Sequence, residues 1–164
     1  MSIGEEIQKL AGKKNKSSDW YTNELMNRLM SLQTSNIHDL DTGGLSIGNL
    51  YFFQYSAQFS NKLDFWDRHP LVYVYDIQKG YFIGCNLHYI NKSYRDDVAK
   101  SLINKRETIN VPRSSIHRYL FSGVVSSFLK VPKKDWISVA SLPTEKFVDD
   151  KGQNYPKHKV WSKT

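Results

Sequence analysis

Two apolar runs joined by a tight turn constrain this chain more than any other feature. Pro70 opens Leu71-Val72-Tyr73-Val74-Tyr75, and Tyr81-Phe82-Ile83-Gly84-Cys85-Asn86-Leu87 follows, with Gln78-Lys79-Gly80 between them. Proline at a strand's first position removes no ladder donor that is needed, and glycine supplies the positive φ of a short turn. The pair reads as a β-hairpin. Gly84 inside the second run marks a bulge or a close approach of backbone. A third β-type run, Leu50-Tyr51-Phe52-Phe53-Gln54-Tyr55, precedes them. Three short strands with aromatic faces are not stable alone. They need closure by a later strand, read at 128–131, and cover from helices. The expected fold class is α+β: a small, strongly curved β-barrel of SH3-like type with inserted and appended helices.

The rest of the chain is arranged around that unit. Residues 1–46 read as a helical N-terminal arm and linker, 47–147 as the barrel body with its helices, and 148–164 as a basic tail. Within the arm, 1–18 is polar and reads as a weakly ordered leader. Tyr21, Leu25, Leu29 and Leu32 recur at helical spacing after Asp19, which predicts a helix over about 20–32. Asn36, Asp39, Asp41, Gly43 and Gly44 make 34–46 a linker or loop. Asn91 caps a predicted helix through Ile103, and Ile109 to Pro112 reads as extended. Ser114 or Ser115 is expected to start a further helix bearing Ile116, Tyr119 and Leu120. Whether it continues through 124–131 or gives way to a strand is open from periodicity. Pro132 fits the first turn of a short helix holding Trp136, Val139 and Ala140.

A chain of 164 residues fits one domain that buries a real core. With 40% apolar residues it is not a disordered chain. No apolar run approaches the roughly 20 residues of a membrane span, and the first sixteen residues lack the apolar stretch of a secretory signal. The single cysteine, Cys85, excludes an internal disulfide and a multi-cysteine zinc site. A reducing compartment is the simple reading.

The net charge of +7 is unevenly placed. Residues 1–46 carry five Lys/Arg against six Asp/Glu, 47–104 six against five, and 105–164 twelve against five. All the excess positive charge therefore lies in the last sixty residues, which points either to a polyanionic partner or to a solvated basic face. Arg113, His117, Arg118, Lys130, Lys133 and Lys134 cluster within 22 residues, beside Tyr119 and Trp136. Cations neutralise phosphates and aromatic faces stack on exposed bases, so these are the candidate nucleic-acid-binding residues. No recognition-helix signature accompanies them.

Enzyme signatures are weaker. The chain has no Gly-rich phosphate loop, no nucleophile elbow and no zinc-protease motif. Asp64, Asp67 and His69 lie close together beside Arg68, a pattern that suits a metal or an acid–base pair. The plainer expectation is that Asp67 and Arg68 neutralise each other. His88 reads as a buried, satisfied histidine, Cys85 as a core thiol, and His117 with Arg118 as part of a basic helix. No catalytic residue, metal or cofactor is expected.

The order of four segments is more distinctive than any one of them. They are Gly48-Asn49-Leu50-Tyr51-Phe52-Phe53-Gln54-Tyr55; Leu63-Asp64-Phe65-Trp66-Asp67-Arg68-His69-Pro70-Leu71-Val72; Gly80 through Ile90, with Asn86-Leu87-His88-Tyr89 near its end; and Trp136 followed by Leu142-Pro143-Thr144-Glu145-Lys146-Phe147. Over 48–147 this resembles a family of small proteins of large contractile-tailed phages described as DNA end protector proteins. Cys85, Trp66 and His69 depart from the family's usual residues, and the stretch from Leu102 to Arg113 is short. The resemblance implies a virion-associated protein that sits on the ends of linear packaged double-stranded DNA and blocks host exonucleases. It implies residence in the host cytoplasm during assembly and then in the virion. Trp66, with Phe65, is either an end-stacking wedge or a core plug.

Two other classes compete. One is a structural head, neck or tail completion protein, whose basic charge meets acidic surfaces on portal, neck or tail subunits. The other is a small-barrel endoribonuclease, echoed by Arg68-His69-Pro70-Leu71-Val72. Oligomeric state is open.

Overall fold

A computed structural model describes residues 1–33, 44–57, 62–104 and 111–162. Most of the expected linker (34–43) and the first residues of the expected extended stretch, Ile109 and Asn110, lie outside the described residues. The strands are β1 (Leu50–Phe52), β2 (Trp66–Asp67), β3 (Leu71–Gln78), β4 (Tyr81–Asn86), β5 (Ile116–Leu120), β6 (Leu129–Lys130) and β7 (Phe147–Val148). The α-helices are α1 (Ile3–Ala11), α2 (Ser18–Leu32), α3 (Lys92–Ile103), α4 (Trp136–Ala140) and α5 (Lys157–Trp161).

The hairpin forms as expected: β3 and β4 pair antiparallel, and Gly80 takes φ 87° at the turn. The register shifts between Val74 and Asp76, which leaves Tyr75 as a bulge residue. Around the hairpin stands one antiparallel sheet of order β5-β4-β3-β1-β6, with β2 and β7 forming a separate two-stranded ribbon. The expected barrel is corrected here. Leu129 and Lys130 do join β1, opposite Phe52 and Tyr51, but no ladder links β6 to β5, so the sheet stays open. Shorter contacts cross the mouth: the Tyr55–Val124 bridge, with Ser56 N–H donating to Gly123 O and Val125 N–H to Gln54 O, and Leu120 N–H to Tyr55 Oη at 3.1 Å.

The expected helix after Ser115 is also corrected. Apart from a 3₁₀ turn at Arg113–Ser115, the segment is strand β5, paired with β4. Ile116, Tyr119 and Leu120 have helical spacing, but Tyr119 is buried while Arg118 and Ile116 face outward. That period-2 pattern becomes decisive once β4 offers an open edge some thirty residues earlier in the chain.

Both sheet faces are covered. Leu50, Phe52, Leu71, Cys85 and Leu129 point to α1–α4, whereas Tyr51, Phe53, Val72, Val74, Phe82 and Tyr119 form an aromatic core on the other side. Double coverage explains why β1 is an unbroken buried run rather than an alternation. The first residues are not a loose leader. Ser2 caps α1, Ile7 and Ala11 are buried, and Ile3 N–H and Gly4 N–H donate to Asp135 Oδ1 (3.0 Å) and Ser138 Oγ (3.2 Å). Helix α2 is capped by Ser17 rather than Asp19, and the Asn91 cap of α3 is present. Residues 155–161 are docked too. Val160 is buried, Tyr155 stacks on Phe65 at 4.4 Å, and Trp161 Nε1–H donates to His88 O.

A buried polar network holds these pieces in register. Asp67 Oδ2 accepts from Asn86 Nδ2 (3.0 Å) and contacts His88 Nδ1 (2.7 Å), and Oδ1 accepts from the backbone N–H groups of His69 and Lys146. His88 Nε2 lies 2.8 Å from Thr144 Oγ1, and Asn86 Nδ2 also reaches Tyr119 Oη. His69 Nδ1 is 3.1 Å from Thr22 Oγ1 on α2. Buried Arg95 donates to the carbonyls of Ile90 and Ala140 and pairs with Glu145, which also pairs with Lys157 at 2.8 Å. Asp67 thus takes His88, and not Arg68, as its partner. Burial works to raise the Asp67 carboxyl, but the attraction and hydrogen bond of His88, with Asn86 and the Lys146 N–H, hold it well below the usual carboxylate range.

Two outcomes follow from this packing. A Cβ at Gly84 would meet Val72 Cγ1 and lie 2.5 Å from Tyr73 O. Gly84→Val is therefore expected to cost on the order of 1–3 kcal/mol by overpacking, read as a lowered denaturation midpoint; an unchanged midpoint would contradict the close approach. The second outcome is pH dependence. Burial holds His69 and His117 below the ordinary value of 6.5, so below that pH the unfolded chain binds protons that the folded chain does not. Stability should fall as pH drops from about 7 towards 5, by at most about 1.4 kcal/mol per pH unit for each group. The Asp67 contribution is complete above its ordinary value of 3.8 and is lost only as pH falls below it. Thermal melts from pH 7 to 3 should show the upper window and the onset of the lower one, and His117→Gln should flatten only the upper one.

Candidate nucleic-acid interface

The polar network aims two of the predicted residues at one groove. In β2, Asp67 turns inward to His88, so its neighbour Trp66 lies on the opposite side of the strand. In β5, Tyr119 turns inward to Asn86, so Arg118 faces outward. Between these strands lies a groove of about 470 Å³, walled by Tyr55, Phe65, Trp66, Tyr89, His117 and Tyr119, with Leu63 and Arg118 at its lip. Arg118 stacks its guanidinium 4.1 Å from the centre of the Tyr81 ring. His117 belongs to strand β5, not to the expected basic helix. Its ring packs 4.1 Å from the Tyr89 ring and its Nε2 lies 2.8 Å from Ser114 O. Trp66 is half-buried, and its Nε1–H is enclosed without an acceptor.

The other predicted cations lie elsewhere. Arg113 is exposed on the 3₁₀ turn that leads into β5, on the groove side of the sheet order. Lys130 is exposed on β6, and Lys133 and Lys134 follow on the next 3₁₀ turn, with Lys133 Nζ 5.9 Å from the Trp136 ring centre. β5 and β6 are the two edges of the five-stranded sheet, four strand spacings apart, or about 19 Å along it. The sequence cluster is therefore split into two basic edges. Among the described residues, none of Arg113, Arg118, Lys130, Lys133 and Lys134 forms an ion pair. Their charges are open to an outside anion.

The candidate chemical groups are enclosed. Asp67, His88 and Thr144 have the spacing of an acid–base relay, but each is at most 2% exposed. His69, the histidine of the ribonuclease-like echo, is buried against Thr22 and Thr144. Asp64 is exposed and apart from them. Burial pushes the Cys85 thiol up to about 12, which makes it an inert core group. Among the described residues no cluster of three potential metal ligands occurs, and no helix is long and apolar enough to cross a membrane.

Sequence reasoning missed the aromatic wall formed by Tyr55, Tyr89 and Tyr119, because these rings come from three separate segments. It also missed the network role of Asn86 and Thr144. The signal was there in part: both lie in the quoted motif segments, whose polar residues interrupt otherwise apolar runs.

No curated protein and no solved structure matches the chain. A family model does, over residues 2–114, which is more than half of the chain and includes α1, α2, β1–β4 and α3. The chain belongs to the family of the phage T4 terminal DNA protecting protein.

Proposed function

We propose that this protein binds the ends of linear double-stranded DNA and covers them against exonucleases, without breaking bonds. The observation that carries the reading is that a member of a terminal DNA protecting family brings Trp66 and Arg118, from distant segments, to one aromatic groove beside unpaired cations. Arg113 and Arg118 neutralise phosphates at one sheet edge, and Lys130, Lys133 and Lys134 do so at the other. Trp66 and His117 face the terminus. Neutralisation, stacking and steric exclusion suffice for protection. Of the seven residues, Trp66 and Arg113 lie inside the family match. The remainder lie in the segment that carries the excess charge, so the family frame and the basic surface are complementary parts of one binding face. The protein acts in the host cytoplasm during assembly and then in the virion.

The test is binding to linear and covalently closed DNA of one sequence. Linear DNA should bind more tightly and resist exonuclease digestion. If about four phosphates are neutralised, log affinity falls against log salt with a slope near −3.6, at about −0.9 per phosphate. Replacing Lys130, Lys133 and Lys134 together with Gln should flatten that slope by up to about 2.7 and weaken all sequences alike. Equal affinity for both forms with no nuclease protection would reduce the activity to general phosphate binding. No binding at low salt would favour a structural contact with portal, neck or tail subunits.

A further inference from the structure

We infer that the groove between β2 and β5 is a pocket for a single unpaired terminal nucleotide, so that the protein reads a frayed or overhanging DNA end rather than a blunt one. The inference rests on the end-binding reading and adds a ligand class to it. The groove falls in the ordinary size range of small-ligand pockets. A duplex end is much wider than such a groove, whereas one base fits between aromatic walls. The lining is aromatic: Trp66, His117 packed on Tyr89, and Tyr55 in edge contact with Tyr119.

The polar groups select the same class. Among the described residues, Trp66 Nε1–H is enclosed without an acceptor, and Arg118 is an exposed cation 4.1 Å from the Tyr81 ring centre with no carboxylate partner. The carboxylate that lines the groove, Asp67, has both oxygens occupied by His69, Lys146, Asn86 and His88. What the groove offers a ligand is therefore an aromatic lining with two cationic side chains, Lys62 and Arg118, along it. A planar, acceptor-bearing ring tethered to a phosphate fits that set. Stacking on such walls is tolerant of base identity, so the pocket has no need to read sequence.

The experiment compares duplexes with one common core: blunt, with a one-nucleotide overhang, with an abasic one-nucleotide overhang, and closed by hairpins at both ends. The overhang duplex should bind about tenfold more tightly than the blunt one, and the abasic overhang should fall back to the blunt level. Trp66→Leu should remove the overhang preference, so that blunt and overhang duplexes bind alike. Arg118→Gln, at an exposed position, should weaken overhang binding in a protein whose melting temperature is unchanged, and it keeps the test valid if Trp66→Leu does not fold. Equal affinity for blunt, overhang and abasic ends, all above the closed hairpin, would overturn the pocket and leave end binding intact. Ends bound no better than the closed hairpin would overturn both.

Discussion

The buried carboxylate of Asp67 is the contact on which the rest of the arrangement depends. It takes four donors from three separate segments: the His69 N–H, the Lys146 N–H, Asn86 and His88. An ionised carboxylate with no partner in such a position would be strongly destabilising. Here Asn86 comes from β4, His88 from the turn after it, His69 from the step between β2 and β3, and Lys146 from just before β7, so satisfying Asp67 fixes these segments relative to each other. β2 is only two residues long, and alternation along it turns Trp66 away from the network and against the aromatic core on the other face of the sheet. Through Asn86 the same network holds Tyr119, and alternation along β5 then sets Arg118. The groove is a consequence of the core.

A second buried charge ties the end of the chain to this frame. Arg95 satisfies the carbonyls of Ile90 and Ala140 and meets Glu145, whose other ion pair is with Lys157. Burial opposes the charge on Glu145, but His88, Arg95 and Lys157 outweigh it and keep its carboxyl below the usual range. The Arg95 guanidinium also lies 5.6 Å from the Trp161 ring centre, and Trp161 donates to the backbone of His88. Residues beyond the family match therefore do more than extend it. β5, β6 and β7 each pair with a strand inside the matched span, and α5 packs on the same network.

That dependence bears on the distribution of charge. Residues 105–164 hold the basic excess, and they also supply both sheet edges. An edge strand leaves its outward side chains in solvent, and a charge there blunts unwanted strand pairing. Arg118 and Lys130 suit that demand whatever their partner. The same exposed cations protect the edges and, under the proposed function, contact the DNA.

The hairpin, the capped helix at Asn91, the helical stripe of α2, the core thiol and the close approach at Gly84 were legible in the sequence. Each rests on a local rule: a turn glycine, a cap, a repeat of apolar residues, or the missing Cβ in a strand. The family likeness was legible through the order of four segments. The status of both chain ends and the nature of 116–120 were not. Polar residues 1–18 and the basic tail look loose in sequence because their partners, Asp135 and Ser138 for one and Phe65 and His88 for the other, are remote in the chain. The open sheet replaced a barrel for the same reason: closure depends on whether two edges meet, and no local pattern encodes that. The sequence by itself determined the local elements, the excess of positive charge and the family. Only the tertiary structure decided that this charge divides between two edges, that Asp67 pairs with His88, and that Trp66 and Arg118 share a groove. Side-chain alternation fixes direction within a strand, but which strands are neighbours is decided by the burial of a shared core.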